Sequence, residues 1–143
     1  MFANEIYNIL KKYRQFAGIY ARDELPENIQ FPTGLVVNSD KRDEPGTHWV
    51  AIYIDRNGFG EYFDSYGFPP YLDEITKFLF NACPNGYFYN RYILQCLTCI
   101  TCGQYCTSYL CARFNGIPYS EYISKFTNNP YTNDKIIKNY FNV

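Results

Sequence analysis

Residues 48–67, HWVAIYIDRNGFGEYFDSYG, contain the clearest local structure in the chain. The segments 48–54 and 59–67 have the aromatic and β-branched composition of strands. Between them, DRNG at 55–58 has the residue types of a tight turn. The stretch therefore predicts a β-hairpin, which sets the residues of its two strands side by side.

Further elements are predicted on both sides of this hairpin, with no internal repeat or linker to suggest a second domain. The strands are expected at 34–40 and 87–94, and the helices at about 4–16 (capped by Asn4), 71–81, 102–114, 119–126 and 132–141. The charged stretch 41–45 reads as an exposed loop. This order predicts an α+β fold: one domain over residues 1–143, with a small mixed or antiparallel sheet flanked by helices.

The composition is that of a globular protein, with 47% hydrophobic and 19% charged residues in a chain of 143. Its 13 basic residues are balanced by 14 acidic ones, which disfavours a strongly electrostatic nucleic-acid binder. The N-terminal sequence lacks the apolar core of a signal peptide, and no stretch approaches the ~18 apolar residues of a membrane span. We therefore expect an intracellular chain with no membrane partner, in which cysteines are free, metal-bound or catalytic.

A cysteine cluster, QCLTCITCGQYC, occupies residues 95–106. The spacing of Cys96, Cys99, Cys102 and Cys106 matches the bacterial ferredoxin run, so an iron–sulfur electron carrier is one interpretation. Two features argue against it. Thr107 stands where that run has proline, and a helix that begins at Cys102 would hold two of the sulfurs one turn apart.

The other interpretation is nucleophilic catalysis by Cys102. A thiolate at a helix N-terminus is stabilised by the helix dipole and by free backbone N–H groups. Gly103 would let the substrate backbone approach closely. A cysteine nucleophile needs an imidazole as its base, and His48, at the start of the hairpin, is the only histidine in the sequence.

Two polar residues complete this interpretation. Asp64 lies across the hairpin, where its carboxylate can orient His48, although an Asx turn is an equally ordinary use of an aspartate there. Glu61 and Asp55 are rival carboxylates. Gln95 precedes Cys102 by seven residues, and its amide can donate to an oxyanion.

The motifs GTHW at 46–49, FDSYGFPP at 63–70 and TCGQYC at 101–106, with Gln95 before the last, resemble the adenovirus maturation proteases (adenains). Related enzymes occur in virophages and in Polinton/Maverick elements. The resemblance extends over about residues 1–115. It departs from the adenain pattern in an aspartate at the place of a glutamate and in a shorter C-terminal tail.

The resemblance implies a cysteine endopeptidase, a thiol protease that cleaves viral capsid or structural precursor proteins during virion maturation. Cys102 would be the nucleophile, His48 the base, Asp64 its partner and Gln95 the oxyanion-hole residue. It implies no cofactor and no metal, and a location in the host-cell cytoplasm or nucleus and in the virion. Adenains are also activated by DNA and by a peptide joined through a disulfide, for which Cys83 lies in the corresponding neighbourhood.

Three alternatives stay open at this point. Proteases that deconjugate ubiquitin-like modifiers share the same layout of histidine, aspartate, glutamine and cysteine. The iron–sulfur carrier is a second alternative, and a protease-like binding module without activity is a third. Trp49, next to the histidine, is either a core aromatic or part of the cleft wall.

Overall fold

A computed structural model describes residues 1–141 of the chain, and within them it has five strands and five helices. In chain order the elements are α1 (Ala3–Leu10), β1 (Phe16–Ala21), β2 (Thr33–Asn38), β3 (Trp49–Ile54), β4 (Gly60–Phe63), α2 (Asp73–Ala82), β5 (Tyr87–Tyr89), α3 (Cys102–Phe114), α4 (Tyr119–Ile123) and α5 (Pro130–Tyr140). The last two residues of the predicted domain, 142 and 143, lie outside the described residues. Over the described range, every helix falls short of the length and hydrophobicity that a bilayer crossing requires.

The five strands form one mixed sheet in the order β1-β2-β3-β4-β5. Strands β2, β3 and β4 are antiparallel neighbours, whereas β1 runs parallel to β2 and β5 parallel to β4. The predicted α+β fold with a small mixed sheet is confirmed. In the hairpin, Ile54 pairs with Gly60 and Ala51 with Phe63. Beyond that last pair the two strands open, and His48 and Asp64 lie in the opening.

Each face of the sheet is covered by helices, because alternate residues of its central strands point in opposite directions. Val36, Ala51 and Phe63 belong to the core that contains α3. Leu35 and Ile52 belong to the second core, on the face covered by α2. Burial on both faces explains why β2 and β3 read as continuous apolar runs.

Helix α3 is buried on nearly all sides and is fixed to β4 by a charged contact. Arg113 forms an ion pair with Glu61 at 2.9 Å, and its guanidinium lies 4.5 Å from the ring centre of Tyr53. The Tyr109 hydroxyl also donates to Glu61, and the Tyr109 ring stacks on Phe63 with centroids 4.4 Å apart. These contacts set the position of α3 across the hairpin.

The predicted first helix is wrong at both ends. Asn4 lies inside α1, which follows Phe2, and the Phe2 backbone N–H bonds the Glu5 carboxylate at 2.9 Å. The helix ends at Leu10, and Phe16 already belongs to β1, a strand that the sequence did not predict. This strand depends on parallel pairing with β2, a contact that no local pattern shows.

Two strands are shorter than predicted. Strand β4 stops at Phe63, because the next residues form a turn in which the Gly67 N–H bonds the Asp64 carbonyl. Strand β5 stops at Tyr89, because the Asn90 side chain bonds the carbonyl oxygens of Asp64 and Tyr92 and turns the chain away. The other predicted helices and the strand at 34–40 agree with the structure to within three residues at each end.

The buried ion pair gives a stability prediction. The Arg113 side chain is 14% exposed and that of Glu61 8%, so Arg113→Met leaves a buried carboxylate without its partner. We expect urea unfolding to show a loss of about 3–5 kcal/mol. The control is Arg42→Met, which breaks the Arg42–Glu24 pair where Arg42 is 79% exposed and should cost less than about 1 kcal/mol. Equal losses in both variants would contradict this account of α3.

Candidate active site

His48 and Asp64 meet at the open end of the hairpin. His48 Nε2 lies 2.9 Å from Asp64 Oδ1, and the Asp64 side chain is only 4% exposed. A carboxylate accepts but does not donate, so the ring proton belongs on Nε2. This leaves Nδ1 as the nitrogen able to take a proton from a thiol.

Asp64 also organises the turn that follows β4. Its Oδ1 accepts the Tyr66 backbone N–H at 2.8 Å, which is an Asx turn. Its backbone carbonyl accepts from Gly67 at 2.8 Å and from the Asn90 side chain at 2.9 Å. The turn and the contact with His48 are therefore two uses of one carboxylate, and the turn holds that carboxylate in place.

The two rival carboxylates are engaged elsewhere. Glu61 pairs with Arg113 in the core. Asp55 caps the hairpin turn, where its Oδ1 accepts the backbone N–H groups of Asn57 at 2.8 Å and Phe59 at 3.0 Å. Neither contacts His48.

Tyr66 lies against the imidazole, a contact that the sequence analysis did not anticipate. Its ring stacks on His48 with centroids 4.7 Å apart and planes inclined by 20°. An aromatic face stabilises a cationic ring that lies on it. Continuing the strand register beyond the Ala51–Phe63 pair puts residue 66 opposite residue 48. The hairpin therefore predicts where Tyr66 lies, but not that its ring stacks on the imidazole.

Cys102 is the first residue of α3 and is buried beside His48. Burial alone would raise the pKa of the Cys102 thiol, but hydrogen bonds from His48 and from the Trp49 backbone N–H, with the charge of His48, hold that pKa below its ordinary value. Burial also disfavours the charged form of His48 and by itself would lower its pKa. Hydrogen bonds to Asp64 and Cys102, together with the negative charges of these two groups, outweigh burial and raise the pKa of His48 to about 9. Both shifts are in the direction that favours a thiolate next to an imidazolium.

Gln95 is held in a fixed orientation beside the turn that follows Asp64 and is 1% exposed. Its Nε2 donates to the Cys99 carbonyl at 2.7 Å, and its Oε1 accepts from the Ser65 hydroxyl at 2.6 Å. Since a backbone carbonyl only accepts, the first contact identifies the nitrogen end of the amide. The second N–H points toward the Tyr66 hydroxyl at 3.5 Å, too far for a strong bond. It is therefore available to another acceptor.

The structure changes the interpretation of Gly103. A Cβ there would lie 2.8 Å from the Met1 Cβ and 3.4 Å from atoms of Ile6 and Trp49. The glycine lets Met1, α1 and Trp49 pack closely on α3. This packing role adds to the substrate approach that the sequence predicts. Trp49 combines both expected uses. It packs against the core and lines a cleft, and its Nε1 donates to the Met1 carbonyl at 3.2 Å.

A cleft of about 600 Å³ begins at Cys102. It runs between the N-terminal segment, the end of β1 and the loop before β3. Its lining includes Met1, Tyr20, Asn38, Gly46, Trp49 and Ile100. Because Cys102 is one of the lining residues, a peptide bound in this cleft would lie next to the thiol.

The structure separates the four cysteines of the ferredoxin-like motif. Cys102 faces His48, and Cys106 is fully buried in the core around α3. Cys96 and Cys99 lie together next to Asp134. An iron–sulfur cluster on these four sulfurs is therefore contradicted. Cys83 is buried too, and burial raises its pKa to about 11, so its thiol is poorly placed to join a peptide.

Alkylation of Cys102 tests the ion pair without a substrate. We expect iodoacetamide to modify Cys102 at lower pH than an ordinary thiol, because His48 holds the pKa of the Cys102 thiol below its usual value. In His48→Ala the midpoint of the pH–rate profile should rise, since the hydrogen bond and charge of the imidazole no longer lower the pKa of the Cys102 thiol. Mass mapping identifies the modified residue. An identical midpoint in the two proteins would contradict the pairing of Cys102 with His48.

Comparison with known proteins supports the fold. No protein-family profile matches the chain, and no curated protein sequence matches it significantly. Among solved structures, the ASFV pS273R protease matches with a TM-score of 0.67 at 20% identity, over 92% of this chain and 63% of that one. The selenomethionine form of the same protease matches with a TM-score of 0.54 at 26% identity, over 73% of this chain and 41% of that one. The chain thus spans less than two thirds of that protease, and it has the fold of a viral cysteine protease.

Proposed function

We propose that the chain is a cysteine endopeptidase with Cys102 as its nucleophile. The observation that carries this proposal is the position of His48, whose imidazole lies between the Asp64 carboxylate and a thiol at the N-terminus of a buried helix. The likeness to a viral protease supports a protease in general. The roles of the individual residues are our assignment.

In the first step, the Cys102 thiolate attacks the carbonyl carbon of the scissile peptide bond. A C–S bond forms and the carbonyl electron pair moves onto the oxygen. The thiol proton has by then passed to His48 Nδ1, while Nε2–H stays bonded to Asp64. Asp64 remains ionised and stabilises the imidazolium.

The negative oxygen needs donors that are already in place. The first backbone N–H groups of α3 have no partner within the helix. The second N–H of the Gln95 amide supplies a further donor, since the Ser65 and Cys99 contacts hold the amide in one orientation. A preorganised donor of this kind stabilises the transition state without further rearrangement.

The intermediate then breaks down. His48 transfers its Nδ1 proton to the leaving nitrogen, the C–N bond breaks, and an acyl-thioester on Cys102 remains. A water molecule next gives a proton to His48 and attacks the thioester carbonyl. The C–S bond breaks, and the product acid and the thiolate–imidazolium pair are restored.

The finer assignment is to a maturation protease that acts on viral structural precursors, as the adenain resemblance implies. The similarity to a viral protease fold supports this assignment. Three further points stay predictions: the virophage or Polinton origin, the location in the host cell and the virion, and activation by a peptide or DNA. Deconjugation of ubiquitin-like modifiers is the alternative substrate class. The two substrate classes are separated by assaying modifier fusions that contain an isopeptide bond beside linear peptides. Preference for linear peptides supports the proposal. Exclusive cleavage of the modifier fusions overturns it.

Cys102→Ala tests the activity itself. We expect the purified chain to generate new peptide N-termini in a denatured-proteome peptide library, and Cys102→Ala to generate none, because no other thiol contacts His48 in the described residues. The matched control is Cys111→Ala. Cys111 lies on the same helix but faces a pocket between α3, α4 and α5, so this variant should retain cleavage. Persistent cleavage by Cys102→Ala would overturn the proposal.

Gln95→Ala separates oxyanion binding from thiolate formation. We expect kcat/KM on a cleaved peptide to fall about 10²–10³-fold, the effect of losing one oxyanion donor. The alkylation rate of Cys102 at neutral pH should stay within about twofold of the parent, because the amide bonds Ser65 and Cys99 and makes no direct hydrogen bond to His48 or Asp64 in residues 1–141. A parallel fall in both quantities would show that Gln95 serves the fold of the site and not the oxyanion.

A further inference from the structure

Two thiols of the cysteine motif are not used by the proposed mechanism. Cys96 Sγ, Cys99 Sγ and one carboxylate oxygen of Asp134 all lie within 4.8 Å of one another. We propose that these three side chains form a binding site for a thiophilic divalent cation of the Zn²⁺ type. This site is independent of the proposed peptidase activity and does not rest on it.

The backbone brings the two thiols together. The Cys99 N–H bonds the Cys96 carbonyl at 3.1 Å, so the Cys-x-x-Cys segment is a tight turn with both side chains on one side. A tetrahedral zinc ion with Zn–S bonds of about 2.3 Å holds two sulfurs roughly 3.8 Å apart. The two sulfur atoms lie at most 4.8 Å apart, so small side-chain rotations bring them to that separation without a change in the fold.

The Asp134 carboxyl group is buried and has no cationic partner in the part of the chain that the structure describes. It is 4% exposed and comes from α5, and no Lys or Arg forms an ion pair with it among residues 1–141. Its Oδ1 accepts the hydroxyls of Thr101 at 3.0 Å and Tyr105 at 2.8 Å, and its Oδ2 accepts the Cys96 N–H at 3.2 Å. Neutral donors orient the carboxylate as they do for metal ligands, and a bound cation would offset the cost of its burial.

The ligand set selects the kind of ion. Mg²⁺ and Ca²⁺ prefer oxygen ligands alone, whereas two thiolates with a carboxylate suit Zn²⁺. Three protein ligands leave a fourth tetrahedral position for water. Cys99 is partly exposed, so an ion can enter from solvent.

Occupancy of this site would act on the neighbouring wall of the cleft. The ligands Cys96 and Cys99 lie in the segment between Gln95 and Cys102, and the Cys99 carbonyl is the acceptor that orients the Gln95 amide. A bound ion would tie this segment to α5 through Asp134. It would thereby restrict the motion of the residues on either side of it.

The site is tested by cobalt titration of the full chain carrying Cys102→Ala, which removes the catalytic thiol as a competing ligand. We expect one equivalent of Co²⁺ to produce thiolate-to-cobalt charge-transfer absorption and the visible bands of a tetrahedral ion. Changing both Cys96 and Cys99 to serine (C96S and C99S) should abolish the charge-transfer band, because no thiolate of the site then remains. Cys111→Ser in the same background, a buried cysteine outside the cluster, should leave the band unchanged.

Two further measurements guard against a variant that fails to fold. Asp134→Asn preserves the shape of the side chain, and we expect it to weaken Co²⁺ binding at least about tenfold with an unchanged circular dichroism spectrum. Zinc should raise the unfolding temperature of the Cys102→Ala chain by mass action and should not do so when Cys96 and Cys99 are both changed to serine. The proposal is overturned if the reduced Cys102→Ala chain gives no charge-transfer band, or if the band survives when Cys96 and Cys99 are both changed to serine.

Discussion

The packing of α3 against the β3–β4 hairpin determines where the thiol lies relative to the imidazole. Arg113, near the C-terminal end of α3, is ion-paired with Glu61 on β4, and Tyr109 in the middle of the helix stacks on Phe63. These contacts direct the N-terminus of the helix to the open end of the hairpin. Cys102 is therefore positioned beside His48 by core contacts that lie up to about three helical turns away. A loss of this packing would displace the nucleophile even if every polar residue of the site were intact.

The segment between Gln95 and Cys102 connects the site to the C-terminal helices. Its Cys99 carbonyl orients the Gln95 amide, and Asp134 on α5 bonds both Cys96 and Thr101. The C-terminal part of the chain, which lies beyond the region of adenain resemblance, thus supports one wall of the site. A cation held by the two thiols and Asp134 would add a bond to the same support. The mechanism and the metal site share this segment but use different sulfur atoms.

Local patterns predicted the hairpin and α3, because turn residues and a long buried helix leave clear signals in the sequence. The meeting of His48 and Asp64 followed from the hairpin. The pairing of Cys102 with His48, 54 positions away, followed from the need of a cysteine nucleophile for an imidazole in a chain with one histidine, and the family resemblance agreed with it. Strand β1 was missed because its pairing with β2 is parallel and non-local. For the same reason no pattern revealed Asp134, which contacts residues more than 25 positions away. The packing role of Gly103 was not predicted, because its neighbours in space are Met1, α1 and β3.

The thiolate–imidazolium pair is the central claim, and the single histidine in the sequence makes it directly measurable. In an NMR titration of the imidazole carbon and nitrogen signals, all histidine resonances belong to His48. The structure predicts a protonated ring at neutral pH and a midpoint at about 9, with a lower midpoint in Cys102→Ala, because the thiolate charge and hydrogen bond are then lost. A midpoint near 6.5, the ordinary value, and unchanged by Cys102→Ala would contradict the pair and the mechanism built on it.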